Sequence, residues 1–242
     1  MSNILSIFYI DKNGNIVQLD EILAKQQESP IVPPKPEPEP EPGPEPSGAI
    51  IGGREYKTVT IGNQIWLAEN LDFKFDGLAF LTSDATKSSS PQAIYYNYDE
   101  TTYGVNGNKY GLLYNWAAVK YLADRQNTEN DLIPGWRVPT SDEWRTLAIA
   151  AGGYAIAGNN LKSTTGWNST NGNDMYGFNA VPTGNYYENF YNIGRTGRIW
   201  SITENPENST SSYAMQFLDS DNIVSDYFNK YYYFPVRLVK NS

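Results

Sequence analysis

Residues 134–144 read Pro134-Gly135-Trp136-Arg137-Val138-Pro139-Thr140-Ser141-Asp142-Glu143-Trp144, and the second half of this stretch predicts where a helix begins. Thr140 stands where an N-cap hydroxyl accepts from the amide three residues on. Glu143 stands where a carboxylate reaches back to the cap amide, completing a capping box. Trp144, Leu147, Ile149 and Ala150 carry the helix onward, and Gly152-Gly153 stops it. Glycine takes the left-handed conformation of a helix C-terminus without a Cβ penalty.

Working outward, Lys57 to Ile61 alternates in polarity, Gly62-Asn63 turns and Gln64 to Leu67 returns, which predicts a hairpin. A second helix is expected from about Leu113 through Ala123, centred on Ala117-Ala118-Val119. Beyond Gly153 the chain is rich in Gly, Asn, Ser and Thr and reads as long loops broken by short strands, with Val236 to Val239 as the last strand. The expected head, residues 48–242, is therefore α+β: small antiparallel sheets, two helices and long loops.

Ahead of it, residues 30–46 alternate Pro with Glu. Such a spacer, spanning residues 29–47, stays near polyproline II, and at about 3.1 Å per residue it reaches roughly 50 Å. Residues 1–28 form a small unit: a strand from Ile4 to Ile10, an Asn13-Gly14 turn, a return strand from Ile16 to Leu19, and a short helix from Asp20 through Gln27. A hairpin and one helix bury too little to be stable alone, so this unit is expected to anchor to a partner or to copies of itself.

Composition removes several functions. The formal charge is −9, whereas phosphate binding needs a basic face, so no nucleic-acid partner is expected. There is no Cys and no His, which excludes thiol catalysis, histidine bases, disulfides and the usual zinc sites. No stretch approaches the roughly 20 apolar residues of a membrane-spanning helix. The apolar run at the start lacks a basic flank and ends at Asp11, so no secretory leader is expected in it.

Four segments together resemble one family. They are Tyr56 through Leu71 (YKTVTIGNQIWLAENL); Tyr110-Gly111-Leu112-Leu113-Tyr114-Asn115-Trp116; Pro134 through Thr140 with Glu143-Trp144; and Ile199 through Glu204 with Pro235 through Lys240. In this order they resemble the Fibrobacter-type major paralogous domain, a family grouped with the C-type-lectin-like fold. The resemblance implies a head whose first and last strands pair, with two helices flanking a small sheet and an irregular region displaying variable residues. It implies that Trp66, Trp116, Trp136, Trp144 and Trp200 are core aromatics and that Arg137 and Glu143 form a fold-fixing pair.

Two activities on that fold are tested by the residues. Calcium-dependent sugar binding uses a Glu-Pro-Asn or Gln-Pro-Asp loop with Trp-Asn-Asp. Here the nearest segment, Glu204-Asn205-Pro206-Glu207-Asn208, is rearranged and Trp-Asn-Asp is absent. Calcium needs several converging oxygens, which this pattern does not guarantee, so no cofactor is expected. The formylglycine-generating chemistry needs Cys. The acids Asp219, Asp221 and Asp226 have no spacing that favours a glycosidase pair over solvated loop acids, and no enzyme activity is expected.

The chain holds 19 Tyr, concentrated with Asn and Ser toward its end. Tyr supplies rigid amphipathic contact area and Asn adaptable hydrogen bonds, which is why both dominate binding loops. Lectin-like domains diversified by template-driven adenine mutagenesis show this bias, and the sequence is similar to them. The expected ligand-binding residues are Tyr186, Tyr187, Asn189, Tyr191, Asn192, Asn205, Asn208, Tyr213, Asp221, Asn222, Tyr227, Asn229 and Tyr231. Alternation turns at least one of Tyr231-Tyr232-Tyr233 inward.

The functional expectation is a non-enzymatic surface-recognition protein: a bacteriophage fibre, receptor-binding or capsid-decoration protein on the virion exterior. It would bind host surface glycan or protein through the head, attach to the virion or to itself through residues 1–28, and form a homo-oligomer, a trimer above all. The alternatives are a bacterial cell-surface or secreted adhesin and, after that, a glycan-active enzyme.

Overall fold

The chain divides into two units, residues 1–44 and 45–242, and a computed structural model describes residues 8–10, 12–13, 16–18, 48–104, 107 and 110–241. In the first unit Phe8–Ile10 (β1) and Ile16–Gln18 (β2) pair antiparallel, with Tyr9 opposite Val17. The helix expected over Asp20–Gln27 and the Pro-Glu spacer lie outside the described residues.

The second unit opens with two hairpins, Ala49–Ile51 (β3) with Arg54–Tyr56 (β4) and Thr58–Ile61 (β5) with Gln64–Leu67 (β6). The β5–β6 turn needs Gly62, whose φ is +60°. Ala79–Phe80 (β7), Gln92–Ile94 (β8), the short helix Glu100–Tyr103 (α1), Leu113–Asn115 (β9) and the helix Trp116–Ala123 (α2) follow. Then come Trp136–Arg137 (β10), the helices Ser141–Ala150 (α3) and Ala157–Leu161 (α4), and Thr183–Tyr186 (β11), Phe190–Ile193 (β12), Thr196–Glu204 (β13), Ser211–Leu218 (β14), Ile223–Asn229 (β15), Tyr233–Phe234 (β16) and Val239–Lys240 (β17). Among the described residues no helix is long and apolar enough to cross a membrane.

The helix at Thr140 forms as its capping box dictates. Thr140 Oγ1 accepts from Glu143 N at 3.3 Å, and Glu143 Oε2 accepts from Thr140 N at 2.8 Å. The other carboxylate oxygen of Glu143 pairs with Arg137, so the pair does tie β10 to α3. At the far end Gly153 N donates to Ala148 O and Gly152 N to Ile149 O, a Schellman closure made possible by left-handed φ at both glycines.

Four expectations are corrected, the first being the helix count: four α-helices form among the described residues of the head where two were expected. The helix expected from Leu113 starts at Trp116, because Asn115 Oδ1 accepts from Ala118 N and makes Asn115 the cap. The same side chain accepts from Gln92 N and donates to Ser90 O, so it ends β9, starts α2 and fixes the segment before β8. The sheets are not all small and antiparallel. A nine-stranded sheet runs β15-β14-β13-β11-β16-β9-β8-β7, with β12 beside β11 and with parallel pairing at β7–β8 and β11–β13. The region after Gly153 is less loop-rich than its composition suggests. Strands of nine, eight and seven residues form a β13–β14–β15 meander, since Ser and Tyr fit a pleated, half-buried surface as well as a loop.

The four-stranded sheet, β10-β17-β6-β5, closes the unit: Val239 sits opposite Trp66, so the last strand lies against the first long hairpin. All five tryptophans named from the sequence are buried. Trp116, Trp136 and Trp200 belong to one core with Tyr114 and Phe234, while Trp66 and Trp144, 4.7 Å apart, belong to another with Phe178 and Phe217. The meander divides these cores by its pleat. Trp200 and Ala214 enter the first, and their neighbours Ile199 and Met215 enter the second.

Beneath the closing strand lies Arg237, fully buried. Its Nε and Nη2 donate to Asn70 Oδ1 at 3.2 and 2.8 Å, Nη1 to Phe178 O, and Nη2 also to Asn179 O at 3.3 Å. Burial pulls its pKa down to about 9, which keeps it protonated at neutral pH.

Candidate functional site

The β11–β12 hairpin folds back unusually closely. A Cβ on Gly184 would sit 2.4 Å from Tyr191 O and 2.7 Å from Ile193 N, and φ there is +65°, so only glycine fits. Beside this hairpin β13, β15 and the turn after β15 leave a hollow of about 350 Å³, lined by Asn185, Tyr187, Tyr191, Asn192, Arg198, Phe228 and Tyr232.

Its walls are aromatic. Tyr187 stacks on Tyr232 with centroids 4.4 Å apart and planes 23° apart, and Phe228 meets Tyr232 edge-on at 5.9 Å. Tyr191 is 48% exposed, so its ring stays open to solvent. Lys87 Nζ lies 5.0 Å from the Tyr187 ring centre and 2.5 Å from Glu188 Oε1.

Polar groups form the floor. Arg198 Nη1 donates to Asn185 Oδ1 at 2.6 Å and Nε to Gln216 Oε1 at 2.8 Å. Asn192 Nδ2 donates to the same Asn185 oxygen at 3.1 Å. The Arg198 guanidinium also lies 5.1 Å from the Phe228 ring centre. Desolvation by burial lowers its pKa. An aromatic-walled cleft with a few fixed polar groups is the usual form of a small-ligand site.

The expected binding residues do not form one surface. Tyr187, Tyr191 and Asn192 line the hollow. Tyr186 is corrected to a core residue. It is buried among Phe190 and Tyr233 at 4.9 and 5.3 Å, its hydroxyl donates to Ala85 O, and desolvation pushes its pKa up to about 12. Neighbours on a strand face opposite ways, so Tyr186 turns in where Tyr187 turns out.

Asn189 is exposed at the hairpin tip, where its Oδ1 accepts from Phe190 N. Asn205 and Asn208 build the β13–β14 turn, accepting from Glu207 N and from Thr210 N. Asn222 accepts from Ser220 Oγ, and the Asp221 carbonyl accepts from Asn159 N, within the turn that joins β14 to β15. Asn229 Oδ1 accepts from Tyr231 N. These asparagines fold their own turns, a role that competes with ligand contact.

Tyr213 and Tyr227 are cross-strand partners with ring centres 4.0 Å apart. Register places them on the face of the meander opposite Arg198 and Phe228, which align through Gln216 and Ser212. The Tyr227 hydroxyl donates to Tyr213 at 2.7 Å, and that bond pushes the Tyr227 pKa up to about 12. Tyr231 lines a separate, larger hollow of about 500 Å³ that includes Trp116, Tyr121, Arg125 and Lys230. Tyr233 is the inward member of its triplet.

Sequence reasoning missed Asn185, Arg198, Phe228 and Tyr232. Alternation gave no usable signal for Tyr232, since it would group Tyr231 with the inward Tyr233, whereas Tyr231 is exposed. Arg198 gave none, since it sits in a strand beside a core tryptophan. Among the described residues no group of three or more acidic side chains is placed to hold a metal ion. Asp219 instead accepts from Ser169 N and Thr170 N, and Asp226 from Tyr227 N.

The family model described as Fibrobacter succinogenes major domain matches residues 59–240. No curated protein and no solved structure matches the chain.

Proposed function

The chain belongs to the Fibrobacter succinogenes major domain family, and from that premise we propose that it is a non-enzymatic recognition protein holding a surface ligand in the Tyr187–Tyr191–Tyr232 hollow. One observation carries this reading: stacked and open tyrosine rings stand over a floor of oriented amides and a guanidinium. Aromatic faces pack on sugar rings or apolar side chains, and the amides set orientation.

The head is read as C-type-lectin-like. Supporting this are the meeting of its last strand with its first long hairpin and the two longer helices beside the sheets. The ligand is host surface glycan or protein, and the protein is a bacteriophage fibre or decoration protein on the virion exterior. The alternating Pro-Glu stretch ahead of the head supports a display role. Residues 1–28 attach to the virion or to other copies, and a homo-oligomer, a trimer above all, multiplies weak single-site affinity.

The test uses the labelled full-length chain on intact bacterial cells before and after their surface polysaccharide is stripped. Binding that disappears with the polysaccharide, and in Tyr187→Ala and Tyr191→Ala, supports glycan recognition at this hollow. Binding that survives stripping points to a protein receptor. Absence of binding to every strain tried sinks the recognition reading.

A further inference from the structure

Arg198 is the only cation among the seven residues of the hollow. Its two hydrogen-bond partners are neutral amide oxygens, on Asn185 and Gln216. Among the described residues it takes part in no ion pair, although six such pairs exist elsewhere. Nη2 has no hydrogen-bond partner among the described residues. Asp226 acts on it through charge but forms no ion pair with it, and its carboxylate accepts from Tyr227 N.

The guanidinium is partly buried and, apart from the longer-range pull of Asp226, has no counter-anion. Asn185 and Gln216 lock its plane, because Nη1 and Nε are bonded to two strands of one sheet, β11 and β14. The group is thus held rigid, with unused donor capacity in a site that is open to ligand. With Nε and Nη1 in use, Nη2 keeps its two N–H donors for a charge-assisted hydrogen bond to a carboxylate, on a plane that a lysine does not reproduce. Beside it stand the Asn192 amide and the Tyr191 ring, a polar group and an open aromatic face within one ligand's reach.

We propose that the hollow selects a carboxylate-bearing sugar, with the acid on Arg198 and the ring against Tyr191 and the Tyr187–Tyr232 pair. This rests on the reading of the hollow as the recognition site.

The experiment measures binding of the full-length chain to immobilised acidic oligosaccharides, hexuronic-acid and sialic-acid types, beside the same oligosaccharides after carboxyl reduction. Wild type, Arg198→Met, Arg198→Lys and Tyr191→Ala are compared, with thermal melts confirming that each variant is folded. The expected result is at least tenfold tighter binding of one acidic form over its reduced counterpart. Arg198→Met should erase that preference, and Arg198→Lys should keep only part of it. Tyr191→Ala should weaken both forms.

Equal binding of acidic and reduced forms, lost in Tyr191→Ala, overturns the carboxylate and leaves the recognition site standing. An acidic preference that survives in folded Arg198→Met also overturns it, placing the acid elsewhere. Binding of no member in either form overturns both readings.

Discussion

Arg237 and Arg198 are both drawn out of water, yet their surroundings differ. Arg237 is enclosed: all three of its nitrogens donate, to Asn70 and to the Phe178 and Asn179 carbonyls, and no side of it reaches solvent. Arg198 is held by two amides, at Nε and Nη1, and lines a hollow. Saturation marks a group that builds the fold. Partial satisfaction beside an opening marks a group kept for something else. The contrast also needs the opening, since Asp72 Oδ2 is buried without a partner but lines neither of the two hollows described above.

The strongest way to break this contrast is Arg237→Met. It strands Asn70 Oδ1 and two carbonyls in the core, and each buried unsatisfied group costs about 1–3 kcal/mol. The expected loss is about 3 kcal/mol or more, read from the urea midpoint. Near-wild-type stability would mean that water or repacking satisfies those acceptors and that Arg237 is no keystone. Asn70→Ala comes next, at about 2 kcal/mol. Combined with Arg237→Met it should cost less than the sum, because both changes remove the same bonds.

Arg198→Met should cost less than Arg237→Met, about 1 kcal/mol, since it strands one acceptor, Gln216 Oε1, while Asn185 Oδ1 keeps the bond from Asn192. A loss comparable to that of Arg237→Met would make the two arginines alike and remove the basis for a ligand there. Asp72→Asn probes the closed case. Burial raises the Asp72 pKa despite the bond donated by Tyr95 at 2.6 Å, so the folded state binds the proton more tightly than the unfolded one. That contribution to stability is present below the unfolded pKa and is lost as pH rises through the folded one. Between pH 4 and 7 the variant should therefore show a flatter decline of stability with pH than wild type.

The smallest effect is expected for Tyr213→Phe, within about 0.5 kcal/mol. An ultraviolet titration should show the tyrosine that ionises near pH 12, Tyr227, moving downward as its partner hydroxyl disappears. Ligand binding should be unchanged, because this pair lies across the sheet from the hollow. A change in binding would extend the site around the β14–β15 edge.

Local signals carried much of the fold. Thr140, Glu143 and the two glycines define one helix without outside help, and Gly62-Asn63 defines the turn between β5 and β6. Where two signals overlapped, reading failed. Asn115 looked like part of a helix because the apolar run continues through it, while its side chain in fact caps. The Ser/Asn/Tyr-rich third looked like loops because composition does not separate a turn asparagine from a strand serine. Of the expected binding residues, those that fold their own turns share the residue types of those that face the hollow, so composition could not sort them.

The amino-acid order alone determined the α+β class and the family, and through that resemblance the tryptophan core. The expected pairing of first and last strands was off by one hairpin, since the last strand meets β6 and the first, β3, pairs with β4. Caps, glycine turns and apolar alternation act between residues close in the chain, and such effects are written into neighbours. Only the tertiary structure decided which tyrosines share a surface and that Arg198 lies beneath them. That arrangement depends on the register joining β11, β13, β14 and β15, and the pleat sends adjacent side chains to opposite faces. A shift of one residue in that register would bury Tyr187 and expose Tyr186, with no change in composition.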